Sequence, residues 1–205
     1  DSNGIVPIRL SEKEYVRAHD FRRYLHKNLE DFIVEKPLEH PLGLLNKKFD
    51  VSLINDIQNK WVPYNFESEN IDDFLENLSI DKTVEISSIR GGYSNALKQL
   101  NKFIEVGYQD YAQYRSDPSK EASSQLSPYF HSGQISTHEV FDKISELESW
   151  SPESINPKMV GRREGWWGSS DNFESFMDEL ITWRELGYHT CVRRANYNQY
   201  SSLPE

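Results

Sequence analysis

Hydrophobic residues recur at intervals of three and four over most of the chain, which is the spacing of a helix with one buried face. In the first such run, Ser11 and Glu14 have the spacing of a capping box, so we predict a helix that begins at Ser11 and ends at Lys36–Pro37. Its apolar positions are Tyr15, Ala18, Phe21, Leu25, Leu29 and Phe32.

Later stretches of the chain repeat this helical pattern. Short helices are predicted near residues 51–59 and 71–78. Gly91–Gly92 opens a longer helix, which Gly107 divides from a second short helix. Two more capping boxes introduce further helices, Ser136 with Glu139 and Asp171 with Glu174.

The opening residues have a different pattern, because Ile5, Val6 and Ile8 are typical of a short strand. A single strand is not stable without a partner, so it either lies along a helical domain or belongs to a sheet formed by a preceding segment. The start without methionine favours the second arrangement. We therefore expect an all-α fold apart from the first few residues.

Composition narrows the possible functions. A net charge of −10 argues against nucleic-acid binding by the whole surface, although it permits a local basic face. No apolar run approaches the roughly 20 residues of a membrane span, and no leader for export is seen. One cysteine and six scattered histidines give no metal-ligand spacing and fit a reducing compartment, so we expect a cytoplasmic protein with no metal site.

The stretch "SSQLSPYFHSGQIS", Ser123 to Ser136, reads as a helix start, with Ser127 as the cap and Pro128 in the first turn. Hydroxyls beside helix-end amides can hold a phosphate without a lysine. On local chemistry alone, an ordinary capped helix is the commoner case.

Two other stretches combine charged and aromatic residues. In "DELITWRELGYH", Glu179 and Trp183 lie one turn apart and Arg184 follows. The charged residues could simply be solvated. The broad apolar face of this helix indicates burial instead, and buried charges need partners. In "GRREGWWG", residues 161–168, two arginines precede two tryptophans. The loop could stack on bases and pair with phosphates, or its tryptophans could fill the core, and the residues alone leave both possibilities open.

The order of these motifs resembles the flavin-binding helical domain of DNA photolyases and cryptochromes. The chain is most similar to class II cyclobutane-dimer photolyases and their bacterial relatives. The matching motifs are "ALKQLNKFI", "RSDP" (Arg115–Pro118), "SQLSPYFHSGQIS" (Ser124–Ser136) and "ELITWREL" (Glu179–Leu186). Departures from the class II pattern are Ser116 for Asn, Ser132 for Phe, and Trp183 for the first arginine of Arg-Arg.

The resemblance implies a set of site residues. The FAD phosphates would be surrounded by Tyr111, Ser123, Ser124, Leu126 through its backbone, and Ser127, with Arg184 reaching toward the flavin. Glu179 would hydrogen-bond a flipped-out pyrimidine dimer and Trp183 would form a wall of its pocket. Candidates for DNA contact are Arg162, Arg163, Trp166 and Trp167, and Lys158, Arg193 and Arg194 could extend the basic rim.

The resemblance also implies an organisation and a function. Residues 1–10 would end an N-terminal α/β antenna domain, residues 11–88 would form a crossover helix and connecting region, and residues 89–205 would form the first part of a helical FAD-binding domain. The intact protein would be a monomeric photolyase that uses blue light and reduced FAD to split cyclobutane pyrimidine dimers, whereas this chain alone would be inactive. The alternatives are a cryptochrome-like light sensor or partner-binding flavoprotein without repair activity, and a helical domain that has lost FAD.

Overall fold

The fold was determined as a computed structural model, which describes residues 4–38, 43, 55–61, 71–85 and 87–203. The chain divides into two compact units. The first combines the N-terminal segment up to Pro37 with the chain from Gly91 onward, and the second takes the residues from Leu38 to Arg90. The predicted boundaries at residues 10 and 88 remain a prediction.

The described residues of both units are mainly helical, as predicted, and no strand occurs among them. In the second unit, α2 spans Asn55–Lys60 and α3 spans Ile71–Glu76; residues 51–54 of the predicted helix lie outside the described part. The helices of the first unit are α1 (Ala18–Val34), α4 (Tyr93–Lys102), α5 (Tyr111–Tyr114), α6 (Ser127–His131), α7 (Thr137–Leu147), α8 (Asp171–Met177) and α9 (Arg184–Arg193).

Helix α1 begins at Ala18, so the predicted capping box at Ser11 is wrong. The Ser11 hydroxyl instead pairs with the Tyr15 hydroxyl at 3.0 Å, and Arg194 binds the Glu14 carboxylate. Contacts with the far end of the chain thus replace the local cap. The apolar face of α1 is buried at Phe21, Leu25 and Leu29, as the spacing predicts, but its last buried position is Ile33 rather than the predicted Phe32.

The predicted strand at Ile5, Val6 and Ile8 is also not formed, because residues 4–6 are bends and Ile8–Leu10 is a 3₁₀ turn. The amides of Ile5 and Val6 donate to the buried Glu185 carboxylate, at 2.6 and 3.4 Å. A side chain of α9 therefore takes the place of a neighbouring strand.

Two later helix starts were predicted closely. Ser136 caps α7, and its hydroxyl accepts from the His138 amide at 3.2 Å. Helix α8 is capped by Ser170 rather than by Asp171, one residue from the predicted position.

Wider π-helical turns interrupt the two longest helical runs. Phe103–Gly107 continues α4 and leads through a 3₁₀ turn at Tyr108–Asp110 to α5, so Gly107 does not end the helix. A side chain at Gly107 would meet the Glu121 carbonyl oxygen at 2.7 Å, which explains the need for glycine there. The second π segment, Asp178–Trp183, joins α8 to α9, and its residues Glu179, Leu180 and Trp183 line the cavity described below.

None of the helices in the described ranges has the length and apolar character required to cross a lipid bilayer.

Candidate functional site

A cavity of about 650 Å³ lies in the first unit, between α5, the serine-rich stretch and the second π segment. Seven of the residues predicted for a site line it. Those that line it are Tyr111, Ser123, Ser124, Ser127, Glu179, Trp183 and Arg184. Side chains separated by up to 73 positions in the sequence thus line one cavity, as is expected of a binding site.

The serine-rich stretch forms one side of this cavity. Helix α6 begins with Ser127 as its first residue and Leu126 as its cap position, so the prediction that the Ser127 side chain caps the helix is wrong. Gln125 before it has a positive φ of 57°, and its amide group donates to the Ser123 hydroxyl at 2.6 Å. Leu126 is fully buried in the hydrophobic core and does not line the cavity, so it anchors the turn.

Tyr111, Arg115 and Glu179 form a hydrogen-bonded group that also lines the cavity. Arg115 donates to the Glu179 carboxylate, and its guanidinium lies 5.9 Å from the centre of the Tyr111 ring. Burial, reinforced by the negative charge of Glu179, raises the pKa of Tyr111 to about 12. Tyr111 therefore remains a hydroxyl donor, and Glu179 is held in place by a cation.

Arg184 lines the cavity and lies close to two aromatic rings. Its guanidinium carbon is 5.0 Å from the ring centres of Phe130 and of Tyr188. Arg184 and Phe130 also line a neighbouring cavity of about 890 Å³ beside Ile5 and Lys36. The aromatic rings fix a positive charge beside the serine hydroxyls.

Trp183 lines the cavity and is half exposed, and its indole N–H donates to Asp178 at 3.2 Å. Asp178 is buried and accepts two hydrogen bonds from Arg22 of α1, at 2.8 and 3.0 Å. The wall of the cavity is therefore connected to α1 through a buried ion pair.

The tryptophans of the loop at residues 161–168 do not face solvent. Trp166 is 1% exposed and Trp167 is 4% exposed. The ring of Trp166 stacks on His26 at 3.9 Å, and burial lowers the pKa of His26 to about 3. These two rings have no free face for a base, which corrects their assignment to a DNA-contacting surface and supports the core-filling alternative.

The arginines of this loop are placed differently from its tryptophans. Arg162 and Arg163 are exposed, and they border a groove that His19, Arg22 and Glu164 also line. Arg193 and Arg194 are not part of an open rim, because Arg193 donates to the carbonyls of Ile8 and Ser11 and Arg194 binds Glu14.

Sequence reasoning missed three residues of the site. Arg115 was visible in the "RSDP" motif, although only as part of the resemblance. The pair of Arg22 and Asp178 had no local signal, since 156 positions separate the two residues. Across the described ranges, no group of three or more His, Cys, Asp or Glu side chains could hold a metal ion.

Comparison with known proteins gives similarity over the full length of the chain. The deoxyribodipyrimidine photo-lyase of Methanothermobacter thermautotrophicus is 29% identical over 206 residues, which cover the whole of this chain and 37% of that protein. The deoxyribodipyrimidine photo-lyase of Potorous tridactylus is 26% identical, over 97% of this chain and 31% of that protein. Cryptochrome-2 of Arabidopsis thaliana is 48% identical over 50 residues, 24% of this chain and 8% of that protein.

No protein-family model matches the chain. The chain spans about a third of the length of the curated photo-lyases that it matches. The chain is thus similar over 97–100% of its length to proteins named deoxyribodipyrimidine photo-lyase, and its described residues are mainly helical.

Proposed function

We propose that this chain is part of the FAD-binding helical domain of a class II-like DNA photolyase, which splits cyclobutane pyrimidine dimers in blue light. The observation that carries the proposal is the single cavity shared by the serine hydroxyls, Arg184, and the pair of Glu179 and Trp183. The names of the full-length relatives agree with it.

The residues of the cavity fit FAD by their chemistry. Hydroxyl donors from Ser123, Ser124 and Ser127 and the positive charge of Arg184 suit a diphosphate. The volume of about 650 Å³ is in the usual range for a ligand pocket. Bound FAD would supply the light absorption and the electron for repair, and the protein would hold it and exclude water.

The substrate side of the proposal uses other residues of the same cavity. Glu179 would accept hydrogen bonds from a pyrimidine dimer flipped out of the duplex, and Trp183 would lie against its rings. Arg115 keeps the Glu179 carboxylate in one orientation. Arg162 and Arg163 would contact phosphates beside the lesion.

The remaining parts of the proposal concern the whole protein. We infer a cytoplasmic monomer, since Cys191 is a free and exposed thiol, which suits a reducing compartment. The chain alone would be inactive, because it spans about a third of the length of the matched photo-lyases.

A cryptochrome-like flavoprotein without repair activity is the second candidate. The observation in its favour is the 50-residue segment that is 48% identical to a cryptochrome. The same cavity would hold FAD in either protein, so the two candidates differ only in what is done with the lesion.

Repair by the intact protein tests the proposal. An oligonucleotide with one cyclobutane dimer is incubated with the protein under blue light and in the dark, and restored bases are measured. We expect repair in the light only, with Glu179→Gln lowering its rate about tenfold through the loss of one charged hydrogen bond. A protein that retains FAD and leaves the dimer intact in blue light would favour the cryptochrome-like candidate.

A further inference from the structure

The π segment at Asp178–Trp183 brings its two end residues onto one face of the helix. Residues five apart do not share a face in a regular α-helix, where neighbours are three and four apart. The wider turn of a π segment, with its i to i+5 hydrogen bonds, changes this register. As a result, the indole N–H of Trp183 lies 3.2 Å from the Asp178 carboxylate.

Asp178 is itself held rigidly. Its side chain is 4% exposed, and both of its oxygens accept from the Arg22 guanidinium of α1. A two-point contact between planar groups fixes orientation as well as distance. The Nε of Arg163 is 4.0 Å from the oxygen that accepts from Trp183.

Trp183 contrasts with its partner because 49% of the residue is exposed. A tryptophan this exposed would normally sample several rotamers, and a hydrogen bond to a fixed acceptor selects one of them. The selected rotamer places the ring among the cavity-lining residues, together with Glu179 and Arg184.

We propose that Asp178 is a positioning residue that fixes the Trp183 ring as a preformed wall of the cavity. The ring thereby presents a rigid aromatic face to a ring-bearing ligand. Because the Trp183 side chain is already ordered in the free protein, binding loses less conformational entropy. The identity of that ligand as a flipped-out pyrimidine dimer rests on the proposed function. The position of the indole does not rest on it.

Two variants test the positioning, and the first of them does so without disturbing the buried ion pair. Trp183→Phe keeps an aromatic ring and the buried ion pair but removes the N–H donor. Asp178→Asn keeps the size of the side chain and weakens the acceptor, but it also removes the charge that pairs with Arg22, so its effect is compared with that of Trp183→Phe, which leaves the ion pair intact. Trp150→Phe is the matched control, because the Trp150 indole also donates one hydrogen bond, to the Trp167 carbonyl at 2.7 Å, and Trp150 does not line the cavity.

The test measures the affinity of the intact protein for dimer-containing DNA relative to undamaged DNA. We expect Trp183→Phe and Asp178→Asn each to lower this ratio about fivefold, the effect of one lost hydrogen bond, and the double variant to lower it no further. Trp150→Phe should leave the ratio unchanged. Additive losses, or a ratio in Trp183→Phe equal to that of the parent, would overturn the inference.

A second measurement is independent of the substrate. In protein labelled with 5-fluorotryptophan, the ¹⁹F signal that disappears in Trp183→Phe belongs to Trp183. We expect this signal to shift and broaden in Asp178→Asn while the signals of the other tryptophans stay in place. The two experiments fail separately. If the parent protein binds dimer-containing and undamaged DNA equally, the proposed function is wrong. If the ¹⁹F signal of Trp183 is unchanged in Asp178→Asn, the positioning inference is wrong.

Discussion

At the scale of single residues, the buried acids of the C-terminal helical run differ in how they are compensated. Asp178 is paired with Arg22, whereas Glu185, which is 1% exposed, has backbone amides of Ile5 and Val6 as its partners. Burial raises the pKa of Glu185 to about 7, from an ordinary value of 4.5. The junction between the N-terminal segment and α9 is therefore sensitive to pH.

This raised pKa predicts the pH dependence of stability. The folded state binds the Glu185 proton more tightly than the unfolded state, so the stabilisation is complete below about pH 4.5 and is lost as the pH rises to about 7. Glu185→Gln resembles the protonated form and should be more stable than the parent at pH 8, by up to about 3 kcal/mol.

Urea unfolding at pH 5 and pH 8 measures this difference. The Glu185→Gln variant should lose less stability between the two values than the parent, and Glu12→Gln, at an exposed position, should behave as the parent does. Equal pH dependence in the parent and in Glu185→Gln would refute the assignment.

At the scale of elements, the loop at residues 161–168 combines a buried aromatic part with an exposed basic part. Its path needs glycine at residue 168, where φ is +64° and a Cβ would lie 2.1 Å from the Ser154 carbonyl oxygen. Gly187 provides a contrast, because it lies inside α9 with no atom close to where a Cβ would be.

Alanine substitutions at these two glycines should therefore act in opposite directions. Gly168→Ala should lower the free energy of unfolding by about 2 kcal/mol or more, from the clash with backbone and the strained φ. Gly187→Ala should raise it by about 0.5–1 kcal/mol, since alanine favours helix. Thermal unfolding of both variants measures the two effects, and a neutral Gly168→Ala would show that this loop path is wrong.

The helix starts differ in how well the sequence predicts them. The start of α7 was predicted correctly because its cap, Ser136, acts within two residues. The start of α1 was not, because Glu14 binds Arg194 from the other end of the chain. The π segments left no signal in the hydrophobic spacing, so the alignment of Asp178 with Trp183 required the structure.

At the scale of the whole molecule, a net charge of −10 opposes DNA binding unless the basic groups are concentrated. Of the five cations predicted for a rim, Arg193 and Arg194 are engaged with the N-terminal segment, whereas Arg162 and Arg163 are exposed. Any DNA-binding face formed by this part of the protein therefore has fewer available cations than the sequence predicted.

Replacing Arg162 and Arg163 together by alanine tests that face in the intact protein. We expect weaker binding of damaged and undamaged DNA alike, with the slope of affinity against salt reduced by about 2, because two phosphate contacts are lost. Lys98→Ala with Lys143→Ala removes the same charge elsewhere and should leave the slope unchanged. Equal slopes for the arginine variant and the parent would place the DNA-binding face elsewhere.

We propose that the cavity between the serine-rich stretch and the second π segment holds FAD. The most direct measurement is the affinity of the intact protein for FAD, by titration of the flavin-free form. Ser124→Ala with Ser127→Ala should weaken binding at least tenfold through the loss of two hydrogen bonds to phosphate, while the exposed Ser132→Ala should bind as the parent does. FAD binding in the double serine variant as tight as in the parent would contradict the account.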